Sequence, residues 1–412
     1  MRSWQFFGDY SCPMNLSRPL SVPVMTLVVL VCMAPCPVLA QKKPGGSSYT
    51  IIPLSDSVGL VHSINASGEM VGNVSPTGLL VATHWSLNSQ GIVTTTALDS
   101  TLMIGNTLVA FDSDAVGNND QGIIVGALGD YSTGTGWKPV VWMNTLAAPQ
   151  VLPVPLNPLA VQVEGDAIAV SNPPTEYSGL KAVVVGRYVE YFAGGLALTH
   201  AVAWGITVDD EITDACELGS AYATADVDEF QSAAVDINKQ LTVVGSISAR
   251  AMRWQLGWNG VQLSLQSTLD LFPSLSYSKS FAVNENGDIC GHRAPYSEAF
   301  LLVNSAGTLV NQPLAQLVNN SREYSRSYRA AALNNLTVPQ VVGSVSVFAT
   351  RSHILNRWTE VLWKGSSVID LEKATPSLTM EANYLTSIND AGWIAGNGWD
   401  GAIHRPVVLK PQ

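Results

Sequence analysis

A ten-residue β-hairpin motif recurs along this chain and constrains its fold more than any other feature. In its clearest copy, residues 387–396, Asn389 can bond back to the backbone of the turn, and Gly392 supplies a positive φ. Gly396 lies within the second strand, where a glycine usually marks a bulge or the close approach of another backbone. The motif therefore predicts two short antiparallel strands joined by a tight turn.

The glycine that ends the motif gives the period of the repeat. It occurs seven times, at Gly72, Gly126, Gly186, Gly245, Gly291, Gly343 and Gly396. The fourth copy has Leu241 in place of the turn glycine, and the third copy, which begins at residues 170–172, has a long loop containing Pro173 and Pro174. The spacings run from 46 to 60 residues. A period near fifty is typical of propellers or arrays and not of thin solenoids with coils of about 20–30 residues.

Two further strands follow most of the motifs. The third strand ends in tryptophan in five units, at residues 82–85, 139–142, 201–204, 251–254 and 360–363, whereas residues 299–302 of the fifth unit lack one. Fourth strands are expected at segments such as 261–265 and 367–371. Four short antiparallel strands are the content of one propeller blade. The tryptophans are expected to fill the gaps between blades, and the small residues of the first strands to crowd the central axis.

The two ends of the repeat region fit together. The chain has an extra strand at residues 49–54, and the seventh unit stops after its third strand at residues 405–409. We predict that the N-terminal strand pairs into the last blade, because ring closure hides two sheet edges that would otherwise promote aggregation. The predicted fold is all-β, a seven-bladed β-propeller of four-stranded antiparallel blades. Six or eight blades are the neighbouring alternatives, because the third unit is irregular.

The hairpin followed by a strand such as 200–204, His-Ala-Val-Ala-Trp, resembles the extracellular HAF repeat. The resemblance covers nearly all of residues 48–412, although only His200 and Ala201 keep the first two letters of the His-Ala-Phe triplet. It implies a secreted or cell-surface β-repeat protein. It implies no established activity, and therefore no catalytic residues.

Composition and the N-terminal segment indicate export. Residues 1–40 have the pattern of a signal peptide, with Arg18 before an apolar run and small residues at the cleavage positions, although a retained anchor is the alternative. Residues 41–48 form a polar linker, and residues 49–412 are predicted to be a single domain. The net charge of −11 argues against nucleic acid, which needs a basic surface. We expect a secreted, periplasmic or cell-surface monomer that associates with a membrane only through an uncleaved signal segment.

Metal and cysteine chemistry are not predicted. The six histidines lack zinc-ligand spacing, and the oxygen-rich stretches 112–114 and 118–120 lack the pattern of a calcium loop. Cys290 stands where other copies have a strand valine and is expected to be buried and inert. Cys216 is expected in a loop two units away, so we expect no disulfide between them.

One polar position recurs around the predicted ring, four residues before the third-strand aromatic. It could form a ligand rim or a set of solvated strand ends, and we favour the second interpretation. Its members are Lys138, His200, Arg250, Glu298, Thr359 and His404. Asn65, Asn73, Asn319 and Asn335 begin Asn-x-Ser/Thr triplets, which could carry glycans in a eukaryotic secretory route.

The sequence favours a binding or interaction scaffold over an enzyme. The repeat framework is complete, and neither catalytic residues nor a cofactor site is recognisable, so the expected partner is a protein or carbohydrate ligand of unknown identity. The alternative is a carbohydrate-active hydrolase or lyase with carboxylates at the propeller axis, since paired carboxylates hydrolyse glycosides. A passive envelope or matrix component is a third option.

Overall fold

A computed structural model describes most of the predicted propeller. The predicted signal peptide, and the linker apart from Ser48, lie outside the described residues, which are 48–130, 135–155, 157–223, 232–294, 298–317, 323–349, 355–375 and 381–412. The described residues form seven four-stranded sheets, six of them built from strands that follow one another along the chain and the seventh from the last three strands and the N-terminal strand. The first strand of each sheet contacts the first strands of both neighbouring sheets, so the sheets are the blades of a closed ring. The predicted seven-bladed β-propeller is confirmed.

In blades 1 to 6 the strands run from the channel outward in chain order, and in blade 7 the N-terminal strand follows the last three strands on the outside. Blades 1 to 4 contain β2 (Gly59–Ile64), β3 (Met70–Val74), β4 (Val81–Leu87) and β5 (Val93–Ala97); β8 (Asp112–Asn118), β9 (Ile124–Asp130), β10 (Thr135–Trp142) and β11 (Gln150–Val151); β12 (Ala160–Val170), β13 (Leu180–Phe192), β14 (Ala197–Thr207) and β15 (Cys216–Ala223); and β16 (Ser232–Ile237), β17 (Thr242–Ile247), β18 (Arg250–Trp258) and β19 (Leu263–Asp270).

Blades 5 to 7 contain β20 (Ser278–Val283), β21 (Ile289–Arg293), β22 (Glu298–Ser305) and β23 (Thr308–Gln312); β24 (Glu323–Leu333), β25 (Gln340–Ala349), β26 (Leu355–Lys364) and β27 (Ser367–Asp370); and β28 (Glu381–Ile388), β29 (Ile394–Trp399), β30 (His404–Pro411) and β1 (Tyr49–Pro53). Between blades 1 and 2 lies an extra hairpin, β6 (Thr101–Ile104) and β7 (Thr107–Ala110), and a single helical turn, α1 (Leu371–Ala374), follows β27. The sequence analysis predicted neither. In the part of the chain that the structure describes, no helix has the length and apolar character to cross a bilayer.

The N-terminal strand closes the ring as predicted. It pairs antiparallel with β30, from Tyr49 opposite Pro411 to Pro53 opposite Val407. It thereby supplies the outermost strand of blade 7, and Leu54 continues the contact by donating its N–H to the Pro406 carbonyl.

A β-bulge explains six of the seven repeated glycines. In every blade the pairing register of the first and second strands shifts just after the first-strand residue that pairs with the repeated glycine. In blade 1, for example, Val61 pairs with Gly72 and the shift lies between Val61 and Ser63. The bulge brings a first-strand carbonyl oxygen to the place that a Cβ would occupy, as Leu60 does at Gly72. In blade 7 the side chain of Leu385 takes that role at Gly396. Any larger residue would separate the two inner strands.

The third-strand tryptophans lie between blades, as predicted. Each is almost completely buried and packs in a core cluster with residues of the preceding blade, as Trp204 does with Val125 and Val141. Three of the indole Nε1 groups also donate to the chain that links the preceding blade to their own: Trp142 to Asp99 O at 2.7 Å, Trp204 to Pro153 O at 2.6 Å and Trp363 to Ala315 O at 2.8 Å.

The hairpin asparagines form a belt of hydrogen bonds that the sequence did not reveal. Each side-chain amide donates to the backbone carbonyl at the equivalent position of the next blade. The six bonds run from Asn65 to Asn119, Asn119 to Ser171, Asn238 to Asn284, Asn284 to Asn334, Asn334 to Asn389 and Asn389 to Asn65, at 2.8–3.3 Å. Ser171 occupies the asparagine position of blade 3 and has no amide to donate, so the belt is open between blades 3 and 4. The asparagine therefore fixes the turn and joins the blades.

Some details of the sequence analysis were wrong. Cys216 is the first residue of β15 and not part of a loop, β19 begins at Leu263, two residues later than expected, and β27 ends at Asp370 because Leu371 begins α1. Cys290 is buried as expected, and both cysteines are free.

Candidate binding face

Neighbouring strands run in opposite directions, so each face of the ring carries a different set of turns. The asparagine turns and the turns between third and fourth strands lie on one face, here called the lower face. The turns between second and third strands and the links between blades lie on the other, the upper face. On the upper face, blades 3 and 6 are taller than their neighbours.

The two tall blades form ribs on the upper face. In blade 1 the inner pair of strands ends with Gly59 opposite Val74, but in blade 3 it continues to Ala160 opposite Phe192. Blade 6 continues equally far, to Glu323 opposite Ala349. Four additional residues on the second strand add roughly 13 Å at the usual rise per residue. Blades 3 and 6 are three steps apart in a ring of seven, so the ribs flank the channel mouth from nearly opposite sides.

A histidine held between two carboxylates lies on the rib of blade 3. His200 Nε2 is 3.2 Å from Glu190 Oε2, and His200 Nδ1 is 2.9 Å from Glu217 Oε1. The imidazole ring stacks on the Tyr188 ring with a centroid separation of 4.2 Å and an interplanar angle of 4°. Both ring nitrogens of His200 therefore face a carboxylate oxygen.

The burial of this cluster differs from residue to residue. Glu190 and His200 are buried, whereas the Glu217 side chain is 45% exposed and can reach a ligand. Burial, with the charges of Glu217 and Glu190, raises the pKa of the Tyr188 hydroxyl above its usual range, so this hydroxyl remains a hydrogen-bond donor at neutral pH. The cluster thus combines a fixed interior with an accessible edge.

A second buried set of charges supports the rib from below. Arg187 approaches Asp166 with Nε and Nη2 both 2.6 Å from Oδ2. Glu164 accepts the backbone N–H of Gly136 from blade 2 at 2.6 Å and the Tyr191 hydroxyl at 3.3 Å. Burial raises the pKa of Glu164 despite these bonds. The contact with Gly136 ties the rib to its neighbour and makes it rigid.

A polar group near the channel joins blades 1 and 2. His62 Nε2 lies 3.2 Å from Asp114 Oδ1, and Asn73 Nδ2 donates to the same oxygen at 2.8 Å. Burial lowers the pKa of His62, but the charge of Asp114 and the hydrogen bond to it together outweigh burial, and the net shift of the pKa is upward. The oxygen-rich segment around Asp114 therefore serves blade contacts: Asp112 accepts from Leu80 N, and Asn119 belongs to the belt. No group of three or more potential metal-ligating side chains occurs among the described residues.

The recurrent polar position divides into exposed and buried members. Lys138, Arg250 and Glu298 are exposed, which agrees with solvated strand ends. His200 is the buried member of the carboxylate cluster, and Thr359 is buried and donates to Asp370 Oδ1 at 3.2 Å. His404 pairs with Trp399, one register position away from the others, so its looser alignment was wrong.

The sequence analysis included His200 in the recurrent polar position, for which it favoured solvated strand ends, and it missed the acidic residues around His200. The available signal was repeat length, because the spacings that flank Gly186 are the two longest, 60 and 59 residues. Those additional residues include the longer strands of blade 3 and the carboxylates that they carry.

These features define the protein as a seven-bladed β-propeller with an elaborated upper face. No protein-family model matches the chain, and no curated protein matches it. Among solved structures, it is similar to a sialidase from Trypanosoma rangeli in complex with the inhibitor DANA, at 11% identity and a TM-score of 0.35. That match covers 78% of this chain and 56% of the sialidase, so the chain spans about half of that protein.

It is also similar to the WD40 domain of SCAP from fission yeast, at 9% identity and a TM-score of 0.31, covering 88% of this chain and 87% of that one. At these values neither likeness assigns a ligand or a reaction to this chain.

Proposed function

We propose that this protein is a secreted or cell-surface binding scaffold that holds a protein or carbohydrate ligand on the upper part of the ring. The observation that carries the proposal is the Glu190–His200–Glu217 cluster. Its polar groups are fixed by buried contacts on extended strands, and one carboxylate remains exposed. A rigid framework that presents a few oriented polar groups is the usual construction of a binding site.

The extracellular setting rests on two sequence features. One is the predicted signal peptide at residues 1–40, and the other is the resemblance of the repeats to the extracellular HAF repeat. N-terminal sequencing of the exported protein tests this part. A first residue at Gln41 supports cleavage, and retention of residues 1–40 in a cytoplasmic product contradicts export.

Two inner-strand carboxylates are not available for the hydrolase alternative. Asp114 is held by His62 and Asn73, and Asp166 is held by Arg187. An acid–base pair for glycoside hydrolysis needs carboxyl groups that can exchange protons with the substrate. These two groups are occupied in structural contacts.

A matched pair of charge reversals tests the scaffold. Glu217→Lys alters the accessible carboxylate of the cluster, on the outermost strand of blade 3, and Glu211→Lys makes the same change in the loop after β14, on the lower face of the same blade. The full-length protein is immobilised and probed with a defined panel of extracellular polysaccharides and purified secreted proteins. We expect Glu217→Lys to abolish binding of the best ligand and Glu211→Lys to leave it unchanged. A ligand that only Glu211→Lys weakens, or a panel with no ligand, contradicts the proposal.

A further inference from the structure

Aromatic side chains gather on the upper face where blade 6 meets blade 7. In blade 6, Tyr328 and Trp358 form an edge-to-face pair with ring centroids 4.5 Å apart. In blade 7, His404 lies 4.8 Å from the Trp399 ring and 6.2 Å from the Tyr384 ring. Trp358 is 38% exposed and Tyr384 is 45% exposed, whereas the tryptophans between blades are almost fully buried.

Tyr384 is held in a strained conformation on the innermost strand of blade 7. Its φ is +51°, and among the described residues it is the one non-glycine residue that has positive φ within a β-strand. The strand is irregular on both sides of Leu385, which pushes Tyr384 out of the regular pairing. Strained backbone of this kind persists where surrounding structure enforces it, and it is concentrated at ligand sites.

Glu360 enforces this conformation from the neighbouring blade. Its carboxylate accepts the backbone N–H groups of Leu385 and Tyr384, and burial raises the pKa of Glu360 to about 7. Glu360 follows Trp358 by two residues on β26, so both side chains point to the same side of the sheet, toward blade 7. The contact therefore places Trp358 and Tyr384 along one boundary.

The surroundings indicate which ligand fits. Among the described side chains, the exposed large apolar ones on the upper part of this boundary are Trp358 and Tyr384, whereas exposed aliphatic ones such as Leu146, Leu159 and Met103 lie on blades 2 and 3 or on the β6–β7 hairpin. Aromatic rings that carry hydroxyl or indole N–H groups match the C–H face and the hydroxyls of a sugar ring. The net charge of −11 disfavours an acidic glycan.

We propose that the aromatic boundary of blades 6 and 7 binds a neutral carbohydrate chain, with sugar rings stacked on Trp358 and Tyr384. This inference rests on the proposed scaffold function and narrows its ligand to a neutral glycan. It also assigns a purpose to the backbone strain at Tyr384, which is to hold the Tyr384 side chain out of the regular alternation of the strand.

Calorimetric titration of the full-length protein tests the proposal. The probes are cellohexaose, chitohexaose and mannohexaose, with hexagalacturonate as the acidic comparison. Trp358→Ala removes one ring, and Tyr384→Gly removes the other while relieving the strain, so this variant is expected to fold. Leu146→Ala, an exposed change on the lower face, is the matched control. Near-ultraviolet circular dichroism confirms folding of each variant.

We expect at least one neutral hexasaccharide to bind, with affinity about tenfold or more weaker in both aromatic variants and unchanged in Leu146→Ala. Binding that survives both aromatic changes, or tighter binding of hexagalacturonate, overturns the assignment. If the three neutral probes are silent while a protein ligand depends on Glu217, the carbohydrate inference fails and the scaffold stands. If neither glycans nor proteins bind the upper face, both fail.

Discussion

Replacing Asn284 by alanine removes one link of the hydrogen-bond belt and is expected to destabilise the ring strongly. The Asn284 amide donates to Asp288 Oδ2 and to Asn334 O, both at 2.9 Å. Its Oδ1 accepts the N–H groups of Asn286 at 3.0 Å and Asp288 at 2.8 Å. Asn284 is 3% exposed, so water cannot readily replace these contacts.

The magnitude follows from the groups that lose their partners. The Asp288 N–H and the Asn334 carbonyl are buried, and each costs about 1–3 kcal/mol when it is left unsatisfied. Asn286 is exposed, so water can satisfy its N–H. We therefore expect Asn284→Ala to lower the free energy of unfolding by about 3 kcal/mol. Ser171→Ala is the matched control, because the Ser171 hydroxyl accepts one N–H, from Val183 at 2.9 Å, and should cost about 1 kcal/mol.

Urea unfolding followed by the fluorescence of the eleven tryptophans measures both changes. The reasoning is refuted if Asn284→Ala loses less than about 1 kcal/mol or no more than Ser171→Ala, since one orphaned buried group alone is worth that much. In that case the asparagine would serve the turn only and the belt would not join the blades.

Three further outcomes are expected. Burial raises the pKa of Asp236 from 3.8 to about 7, so the folded state binds this proton more tightly than the unfolded state does. The free energy of unfolding should therefore fall as pH rises between these two values. Asp236→Asn should flatten this fall and add about 1–3 kcal/mol of stability at pH 8, as measured by urea unfolding at pH 5 and pH 8. Expressed in a glycosylating host, the protein should carry a glycan at exposed Asn335, seen by peptide mass spectrometry, and none at buried Asn65 and Asn73. Cys290, buried with a raised pKa, should react with iodoacetamide only after unfolding; rapid labelling of the native protein would contradict this.

The repeat was predictable from the sequence because the same bulge and the same turn recur in the inner hairpin of each blade. A first-strand bulge excludes a Cβ at the next strand, so glycine recurs there, and a positive φ is needed in the turn, so glycine recurs there too. Leu241 shows the limit of the pattern. It has φ +59° at the turn position, yet its side chain is buried in the core between blades 3 and 4, and this burial offsets the backbone strain.

The candidate site was less predictable because its contacts are long-range. Nothing in the spacing of Glu190 and Glu217 indicates that both reach His200, because that depends on the register of three strands. The strain at Tyr384 is likewise imposed by Glu360 from another blade. Sequence patterns report turns and strand alternation, whereas the upper face is built from irregularities in a few blades.

An engineered disulfide between the two chain ends tests the central architectural claim most directly. Thr50 pairs with Lys410, and antiparallel partners have Cα atoms about 4.5–5.5 Å apart, within the range that a disulfide spans. We predict that Thr50→Cys with Lys410→Cys, in a Cys216→Ser, Cys290→Ala background, forms the bond in the native protein, seen as a cross-linked peptide by mass spectrometry. Two free thiols in the folded protein would show that the opening strand does not complete the seventh blade.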